Sequence, residues 1–234
     1  MNHHQPLRVT ASLEGGLATA GTWGIALDGL LASLLHAQAK ASGDDISGPV
    51  LDDPDPADLD LPLARCHSDP WHWASTCAWP VDGADRMPEV RWWSAHTDHA
   101  ALEQLVDRLP RNLRAREGRY RSRWMPLLIT PCSAVVWHAV GDLTTIQQLL
   151  EPVIAIGKKR AAGHGRVLSW TITPAPELDV WTAAHLHPDG TLGRPTPPVC
   201  LASRPDLVDA GTGRAGIRPP YVHPARQHDL HLPT

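Results

Sequence analysis

The chain has 234 residues, a mass of 25.5 kDa and a formal net charge of −4. That length suits one large domain, with or without insertions, and a hydrophobic content of 42% is enough for a sizeable core. No apolar run reaches the roughly 18 residues of a transmembrane helix, residues 1–6 lack a signal-peptide core, and the four cysteines do not indicate a disulfide scaffold. We therefore expect a cytoplasmic protein with reduced thiols, and the Arg-rich, Phe-free composition is typical of a GC-rich bacterial coding sequence.

Residues 1–62 predict a strand, a helix and a loop. Residues 7–13 alternate between apolar and polar side chains, which is typical of a half-buried strand. After several glycines, leucines recur at helical spacing and predict an amphipathic helix over residues 27–40, which Gly43 ends. Residues 42–62 are rich in Asp and Pro, so they are most simply a surface loop.

The middle of the chain predicts a strand and then an insertion. Residues 71–79 are apolar enough for a strand and have a proline at each end. The insertion covers about residues 82–130 and contains a short apolar helix that Pro110 stops. A strand over residues 133–140 follows the insertion, and Asp142 is suited to cap the next helix.

That second helix has an apolar stripe from Leu143 to Val153. A glycine-rich loop (residues 156–167) follows the helix, and a strand that runs through Ile172 follows the loop. The resulting order predicts an α+β, ferredoxin-like βαββαβ unit over residues 1–174. Residues 175–234 are rich in Pro, Gly and His and show little periodicity, so we expect an extended C-terminal tail that packs across either the domain or a partner.

Basic residues are concentrated in two blocks, although the whole chain is acidic. Residues 108–123 hold seven arginines against a single Glu117, and residues 158–166 hold four cations and no acid. Such blocks favour a local site for a polyanion. The first block is also compatible with a solvated arginine face.

The glycine-rich loop combines Lys158, Lys159 and Arg160 with three glycines at 157, 163 and 165. Glycines permit positive φ angles and close backbone approach, and free N–H groups in such a loop can bind an anion. The loop follows a helix and lacks a GKS or GKT ending, so it is neither a Walker loop nor a Rossmann fingerprint. An ordinary glycine-bearing connection is the alternative interpretation.

The pattern G-K-K-R-x-x-G-x-G-x-V after a second helix resembles the RAMP superfamily of CRISPR-associated proteins. Five further segments resemble the small RAMP subunit of type IV systems, the counterpart of the type I Cas-five subunit: LRVTASLEGGLA (7–18), LDGLLASLL (27–35), GRYRSRW (118–124), VVWHAVGDLTTIQQLL (135–150) and RPTPP (194–198). Together these segments extend the resemblance over about two thirds of the chain.

The resemblance implies a subunit that caps the 5′ handle of crRNA in a multisubunit effector complex. It implies contacts with a Cas-seven-like backbone subunit, with a Cas-eight-like large subunit and with target DNA near the PAM. The residues that it assigns to RNA are Gly157, Lys158, Lys159, Arg160, Gly163, His164, Gly165 and Arg166, with Arg111, Arg114, Arg119, Tyr120, Arg121 and Arg123 of the basic insertion. Tyr120 lies between Arg119 and Arg121, and Trp124 follows Arg123. Both rings are suited either to stack on bases or to pack within the insertion.

Two other functions stay open. A metal-independent endoribonuclease needs a general base and positive charge at the phosphate, for which His138, His164, Tyr120 and Lys158 are candidates. His138 lies within an apolar strand, so we expect a buried, hydrogen-bonded histidine instead, and we favour a protein without catalytic activity. A protein-interaction module without RNA contact is the third possibility.

A zinc site is the remaining chemistry that the residue types allow. Cys66, His67, His72 and Cys77 fall within twelve residues, but their spacing matches no common zinc finger. The neighbouring prolines and tryptophans favour a core strand there, and Cys132 and Cys200 stand isolated in the sequence as expected structural residues. The sequence therefore predicts neither a metal site nor a cofactor.

Overall fold

A computed structural model describes residues 4–19, 23–43, 54, 56–82, 88–95, 98–105, 107 and 123–233. Its strands are β1 (Gln5–Glu14), β2 (Arg65–Cys66), β3 (His72–Trp73), β4 (Trp79–Pro80), β5 (Glu89–Ala95), β6 (Arg123–Ile129), β7 (Ala134–Gly141), β8 (Arg166–Pro174), β9 (Thr212–Gly216) and β10 (Gln227–His231). Its helices are α1 (Leu27–Ala41), α2 (His99–Leu105), α3 (Leu143–Leu150), α4 (Val180–His185) and α5 (Pro198–Leu201).

The main sheet has four antiparallel strands in the order β4-β7-β1-β8. Val9 in the central strand β1 pairs with Trp137 of β7 on one side and with Ile172 of β8 on the other. Helix α1 lies in the connection from β1 to β4, and α3 lies in the connection from β7 to β8. The protein is thus a mixed α+β structure built on antiparallel sheets.

The core forms where α1 and α3 cover one face of this sheet. Because strand side chains alternate between faces, Leu7, Val9 and Ala11 all point into the core and have no exposed surface. Leu31 of α1 and Ile146 of α3 are equally buried against them. Three predicted elements, β1, α1 and β7, are confirmed to within two residues, and α3 is confirmed but ends three residues before the predicted Val153.

Asp142 caps α3 as predicted, since its Oδ1 accepts a hydrogen bond of 2.8 Å from the backbone N–H of Thr145. The predicted strand over residues 71–79 is instead divided between β3 and β4. Between them Ser75 bridges to β7 and Cys77 bridges to Ala26, just before α1. The segment changes partner along its length, so it cannot continue as one ladder.

The C-terminal residues pack across the domain, which is one of the two expected placements, but they form short helices and a hairpin instead of an extended tail. Ala183 and Ala184 of α4 pack against Val140 of β7, which is why β7 is buried on both sides. Farther on, β9 and β10 form a hairpin with its own small cluster, centred on Ile217 and Leu230. These elements are too short to produce a visible hydrophobic period, so the sequence did not predict them.

The insertion contains α2, as predicted, and an antiparallel hairpin of β5 and β6. Residues 108–122 lie outside the described residues, and with them Arg111, Arg114, Arg119, Tyr120 and Arg121. The exposed rings of Trp92 and Trp124 face each other across the hairpin at 6.0 Å between centroids. None of the helices that the structure describes is long and apolar enough to cross a membrane.

Candidate nucleic-acid interface

The glycine-rich loop lies exposed between α3 and β8 and is tied down at both ends. The N–H of Ile156 donates to the carbonyl of Gly165 over 2.9 Å, and that of Lys158 donates to the carbonyl of Ala18 over 2.8 Å. A Cβ at Gly157 would lie 2.4 Å from the Ala18 oxygen, and one at Gly165 would lie 2.0 Å from the Ile156 oxygen. Two of the predicted glycines therefore allow close approach to the protein's own backbone.

The cations of this loop differ in what they contact. Lys158 and Arg160 are exposed, and neither forms an ion pair with any residue that the structure describes. Lys159 has a left-handed backbone (φ 58°) and holds its Nζ 3.3 Å from the ring centroid of Trp93 in the insertion hairpin. Arg166 pairs with Glu14 at 3.1 Å on the surface. Lys158 and Arg160 are therefore the loop cations that stay available to a ligand.

The remaining loop residues are placed beside these cations. Gly163 has a φ of +85° and open space around it, while His164 is half-buried. Arg123 is exposed at the start of β6. The structure thus brings the predicted residues 157–166 into one loop, whereas most of the predicted arginine block lies outside the described residues.

A groove of about 750 Å³ runs between this loop and the C-terminal hairpin. Lys158 and Arg160 line it from the loop side, and Arg214 of β9 lines it from the other. None of the described residues in its wall is acidic. Trp23, Tyr221 and Gln227 add aromatic and amide groups. An open groove with cations on two sides and aromatic groups between them suits a phosphodiester chain with its bases.

The C-terminal wall is held by a buried ion pair. Arg194 Nη2 lies 3.6 Å from Asp28 Oδ2, and both side chains are at most 2% exposed. The Tyr221 hydroxyl donates to Asp28 Oδ1 over 2.5 Å. Burial raises the pKa of Asp28, while the Arg194 charge and the Tyr221 hydroxyl lower it. Since Asp28 lies in the first turn of α1 and the other two residues belong to the C-terminal segment, this contact fixes the C-terminal segment to α1, whose residues also line the groove.

Arg194 is further anchored by backbone carbonyls. It donates to the oxygens of Ser75 (2.8 Å) and Ile217 (2.6 Å) and also to that of Trp73. Arg194 is the first residue of the RPTPP segment that the sequence analysis singled out, but nothing in the sequence indicated its burial. The arginine therefore holds the segment in place and is not available to a ligand.

A second, partly buried contact joins the acidic loop to the C-terminal hairpin. Asp58 accepts a hydrogen bond from Arg218 Nε at 3.1 Å and pairs with Arg226 Nη2 at 2.9 Å. Arg218 also stacks over the ring of Trp71, 4.1 Å from its centroid. The loop over residues 42–62 is thus not solvated throughout, because one of its aspartates is a structural partner.

The candidate catalytic histidine His138 is buried, as predicted. It is 2% exposed, and its Nδ1 donates to the carbonyl of Leu186 over 2.9 Å. Burial lowers its pKa, which favours the neutral imidazole. A side chain in that position cannot reach the 2′-hydroxyl of an RNA bound at the protein surface.

Four side chains that can hold a metal lie close together in the fold: Cys66, His72, His185 and Cys200. Two of them belong to the set weighed in the sequence analysis, but its other members do not take part, since His67 is exposed and Cys77 is buried elsewhere. The expectation that Cys200 is isolated is wrong, because its Sγ lies 3.8 Å from that of Cys66. A sequence separation of 134 residues hides this pair from any spacing rule.

Comparison with known proteins identifies the family of the chain. The profile of the family described as CRISPR type IV associated protein Csf3 matches residues 5–229. No curated protein matches the chain closely enough to count as a relative. Because the family match runs from the first strand into the last, the chain belongs to the Csf3 family of type IV CRISPR-associated proteins.

Proposed function

We propose that this protein is the crRNA-binding subunit of a type IV effector complex and caps the 5′ handle of the RNA. The observation that carries the proposal is the groove with Lys158, Arg160 and Arg214 along its sides and no acidic residue among the described residues of its wall. Phosphates bind where unpaired cations and free backbone N–H groups come together. The family membership supplies the context in which that polyanion is a crRNA.

The order of strands and helices supports a ferredoxin-like RAMP unit as the carrier of this site. In the sheet order β4-β7-β1-β8, each of two helices connects a central strand to an edge strand, which is the βαββαβ arrangement expected from the sequence. Residues 1–174 are proposed to form that unit, with the insertion over residues 82–130. Residues 175–234 are proposed as a C-terminal extension that completes the groove.

The partners follow from the same proposal. In the proposed complex, a Cas-seven-like backbone subunit and a Cas-eight-like large subunit lie beside this chain. The complex acts in the bacterial cytoplasm, and this chain contacts target DNA near the PAM. The exposed Trp92 and Trp124 on the insertion hairpin supply aromatic surface for contacts with bases or with these subunits. Arg123, next to Trp124, provides a cation on that surface.

A binding role without catalysis agrees best with the side chains present. An endoribonuclease would need a general base in reach of the 2′-hydroxyl, and the buried His138 is unsuitable. The half-buried His164 is the remaining histidine on the loop. Substitution of His164 therefore separates the two functions: in a binding subunit wild type and His164→Ala both leave the RNA uncut, whereas in an endoribonuclease that uses His164 only wild type cuts it.

The test is co-expression with the partner subunits and a repeat-containing RNA, followed by purification and sequencing of the RNA ends. We compare wild type with Lys158→Ala/Arg160→Ala and with a charge-matched control, Arg8→Ala/Arg204→Ala, whose exposed arginines do not line the groove. Wild type and control should retain an intact 5′ handle, while the groove variant should lose at least about tenfold in RNA, about 1.4 kcal/mol. Normal retention by the groove variant contradicts the proposal.

Arg214→Ala tests whether the RNA follows the groove to its C-terminal wall. If one phosphate is neutralised there, the slope of log affinity against log salt should fall by about 0.7 for a single strand. An unchanged slope would place the RNA on the loop side alone. Shortened RNA with wild-type protein in EDTA would favour the endoribonuclease instead.

A further inference from the structure

We propose that Cys66, His72, His185 and Cys200 form a structural zinc site that joins the C-terminal segment to the rest of the fold. The ligand atoms of the four side chains all lie within 4.8 Å of one another. Two thiolates and two imidazoles are a common ligand set of structural Zn²⁺ sites in proteins. This inference concerns a site separate from the groove, so it is independent of the RNA-binding proposal.

The distances between ligand atoms agree with tetrahedral coordination. Bonds of about 2.3 Å to sulfur and about 2.1 Å to nitrogen separate two sulfurs by roughly 3.8 Å and a sulfur from a nitrogen by roughly 3.6 Å. The two Sγ atoms are 3.8 Å apart. Cys200 Sγ lies 3.8 Å from His72 Nε2, and Cys66 Sγ lies 4.0 Å from His185 Nε2. These three separations are within a few tenths of an ångström of the tetrahedral values, and the other three do not exceed 4.8 Å. Side-chain shifts of up to about 1 Å therefore complete the site.

Both histidines are oriented by backbone carbonyls so that Nε2 faces the cluster. His72 Nδ1 lies 2.9 Å from the Trp73 oxygen, and His185 Nδ1 lies 2.8 Å from the Trp181 oxygen. A carbonyl only accepts hydrogen bonds, so each Nδ1 carries the proton and each Nε2 keeps its lone pair. Metal-bound histidines are typically held by such an outer hydrogen bond, which fixes the ring and its tautomer.

The surroundings favour zinc held by protein ligands alone. The two imidazoles are at most 1% exposed, and Trp181 stacks on the ring of His185 at 4.8 Å between centroids while its Nε1 donates to the Cys200 carbonyl. Four protein ligands leave no open position for a substrate, as in structural sites. On binding Zn²⁺ the two thiols release their protons to solvent, and the two thiolates neutralise the metal charge.

The site would connect two distant parts of the chain. Cys66 and His72 belong to the small β2–β3 hairpin, whereas His185 ends α4 and Cys200 lies in α5. The carbonyl of Trp73 accepts hydrogen bonds from both His72 and Arg194, so the metal cluster and the buried ion pair share one backbone group. Zinc would therefore stabilise the C-terminal segment that forms the second wall of the groove.

The first experiment measures zinc in the full-length protein purified without chelators from zinc-supplemented cells. Wild type should contain about one zinc per chain, and Cys66→Ser and His185→Ala should contain almost none. Two controls match these variants: His67→Ala removes an exposed neighbouring histidine, and Cys132→Ser removes a cysteine outside the cluster. Both controls should keep the metal. Equal zinc contents in Cys66→Ser and wild type would overturn the assignment.

A second measurement does not depend on variants that fold. Wild-type protein is stripped of metal and titrated with Co²⁺, which should give thiolate charge-transfer and tetrahedral ligand-field bands that saturate near one equivalent. Cys200→His, which replaces one zinc ligand type with another, should keep the tetrahedral bands with weaker charge transfer. Folded wild-type protein with no zinc and no such bands would refute the site. A disulfide between Cys66 and Cys200, detected as an intact protein mass two hydrogens below that of the reduced chain, would refute it as well.

Discussion

The arginines of the C-terminal region and the cations of the groove have the same charge but different surroundings. Arg194 and Arg226 are 2% exposed and are surrounded by carbonyl oxygens and a carboxylate. Arg160 and Arg214 are exposed along the groove and form no ion pair with any described residue. A buried arginine that is paired with a carboxylate and donates to carbonyl oxygens holds chain segments together, whereas an open one can neutralise a phosphate and release the counterions bound to the nucleic acid.

The comparison teaches that charge counts along the chain do not separate the two roles. The sequence contains several arginines after residue 190, and only the positions of their partners decide which of them can bind RNA. Substitutions in the buried set should therefore change stability, and substitutions in the groove set should change RNA binding. Four variants test that division, in order of decreasing effect on the free energy of unfolding.

Asp28→Ala should have the largest effect, because it leaves the Arg194 guanidinium buried without its counter-charge. We expect a loss of about 3–5 kcal/mol in the free energy of unfolding, measured by urea denaturation. Glu151→Ala, at an exposed acidic residue, is the control. The double variant Asp28→Ala/Arg194→Ala should lose less than the sum of the two single changes. Additive losses would mean that the pair is not coupled.

Tyr221→Phe should have the next largest effect. It removes one of the two hydrogen bonds that Asp28 Oδ1 accepts and leaves only the one from the backbone N–H of Gly29, so we expect a loss of about 1–2 kcal/mol by the same measurement. Val222→Ala changes the exposed neighbour and should lose far less. A Tyr221→Phe protein as stable as wild type would show that solvent replaces the hydroxyl.

Lys159→Ala should lose about 0.5–1 kcal/mol, because it removes the cation–π contact with Trp93. Thermal unfolding compares it with Lys158→Ala, which removes an exposed side chain of the same type from the same loop. If the ring contact holds Lys159 in place, Lys158→Ala should weaken RNA binding more than Lys159→Ala does. The reverse order would indicate that Lys159 leaves Trp93 to bind RNA.

Arg166→Ala should have the smallest effect on stability, within about 0.5 kcal/mol of wild type. Its partner Glu14 and the arginine itself are more than half exposed, and such surface pairs contribute little. Arg160→Ala should be equally stable but should bind RNA less tightly. Chemical denaturation and RNA titration on the same two proteins separate these outcomes, and a large stability loss in Arg160→Ala would remove the distinction between the two sets.

Much of the sheet and its helices could be predicted because their signals are local. The alternation in β1, the leucine spacing in α1 and the Asp142 cap each depend on residues a few positions apart. The glycine-rich loop was found in the same way. The glycines were expected to allow close approach of a ligand. Gly157 and Gly165 also allow close approach of the protein's own backbone, at the carbonyl oxygens of Ala18 and Ile156.

The rest depends on contacts between residues far apart in the chain. Arg194 meets Asp28, and Cys66 meets Cys200, only because the C-terminal segment folds back across the sheet. Short elements such as α5 and β9 contain too few residues to show a hydrophobic period. Cys66 and His72 are candidate zinc ligands by sequence, but the residues near them in the chain are not their partners. The fold instead brings them together with His185 and Cys200.

The separation of Asp28 from its partners along the sequence also sets an order of events during synthesis. Tyr221 follows Asp28 by 193 residues, so the ribosome must add all of these residues before that hydrogen bond can form. The central sheet strands and α1 emerge much earlier and must wait for the segment that closes the groove. A nascent or prematurely terminated chain therefore presents the glycine-rich loop without the opposite wall. Under the proposed function, only a finished subunit would hold the RNA handle firmly, which would keep incomplete translation products out of the effector complex.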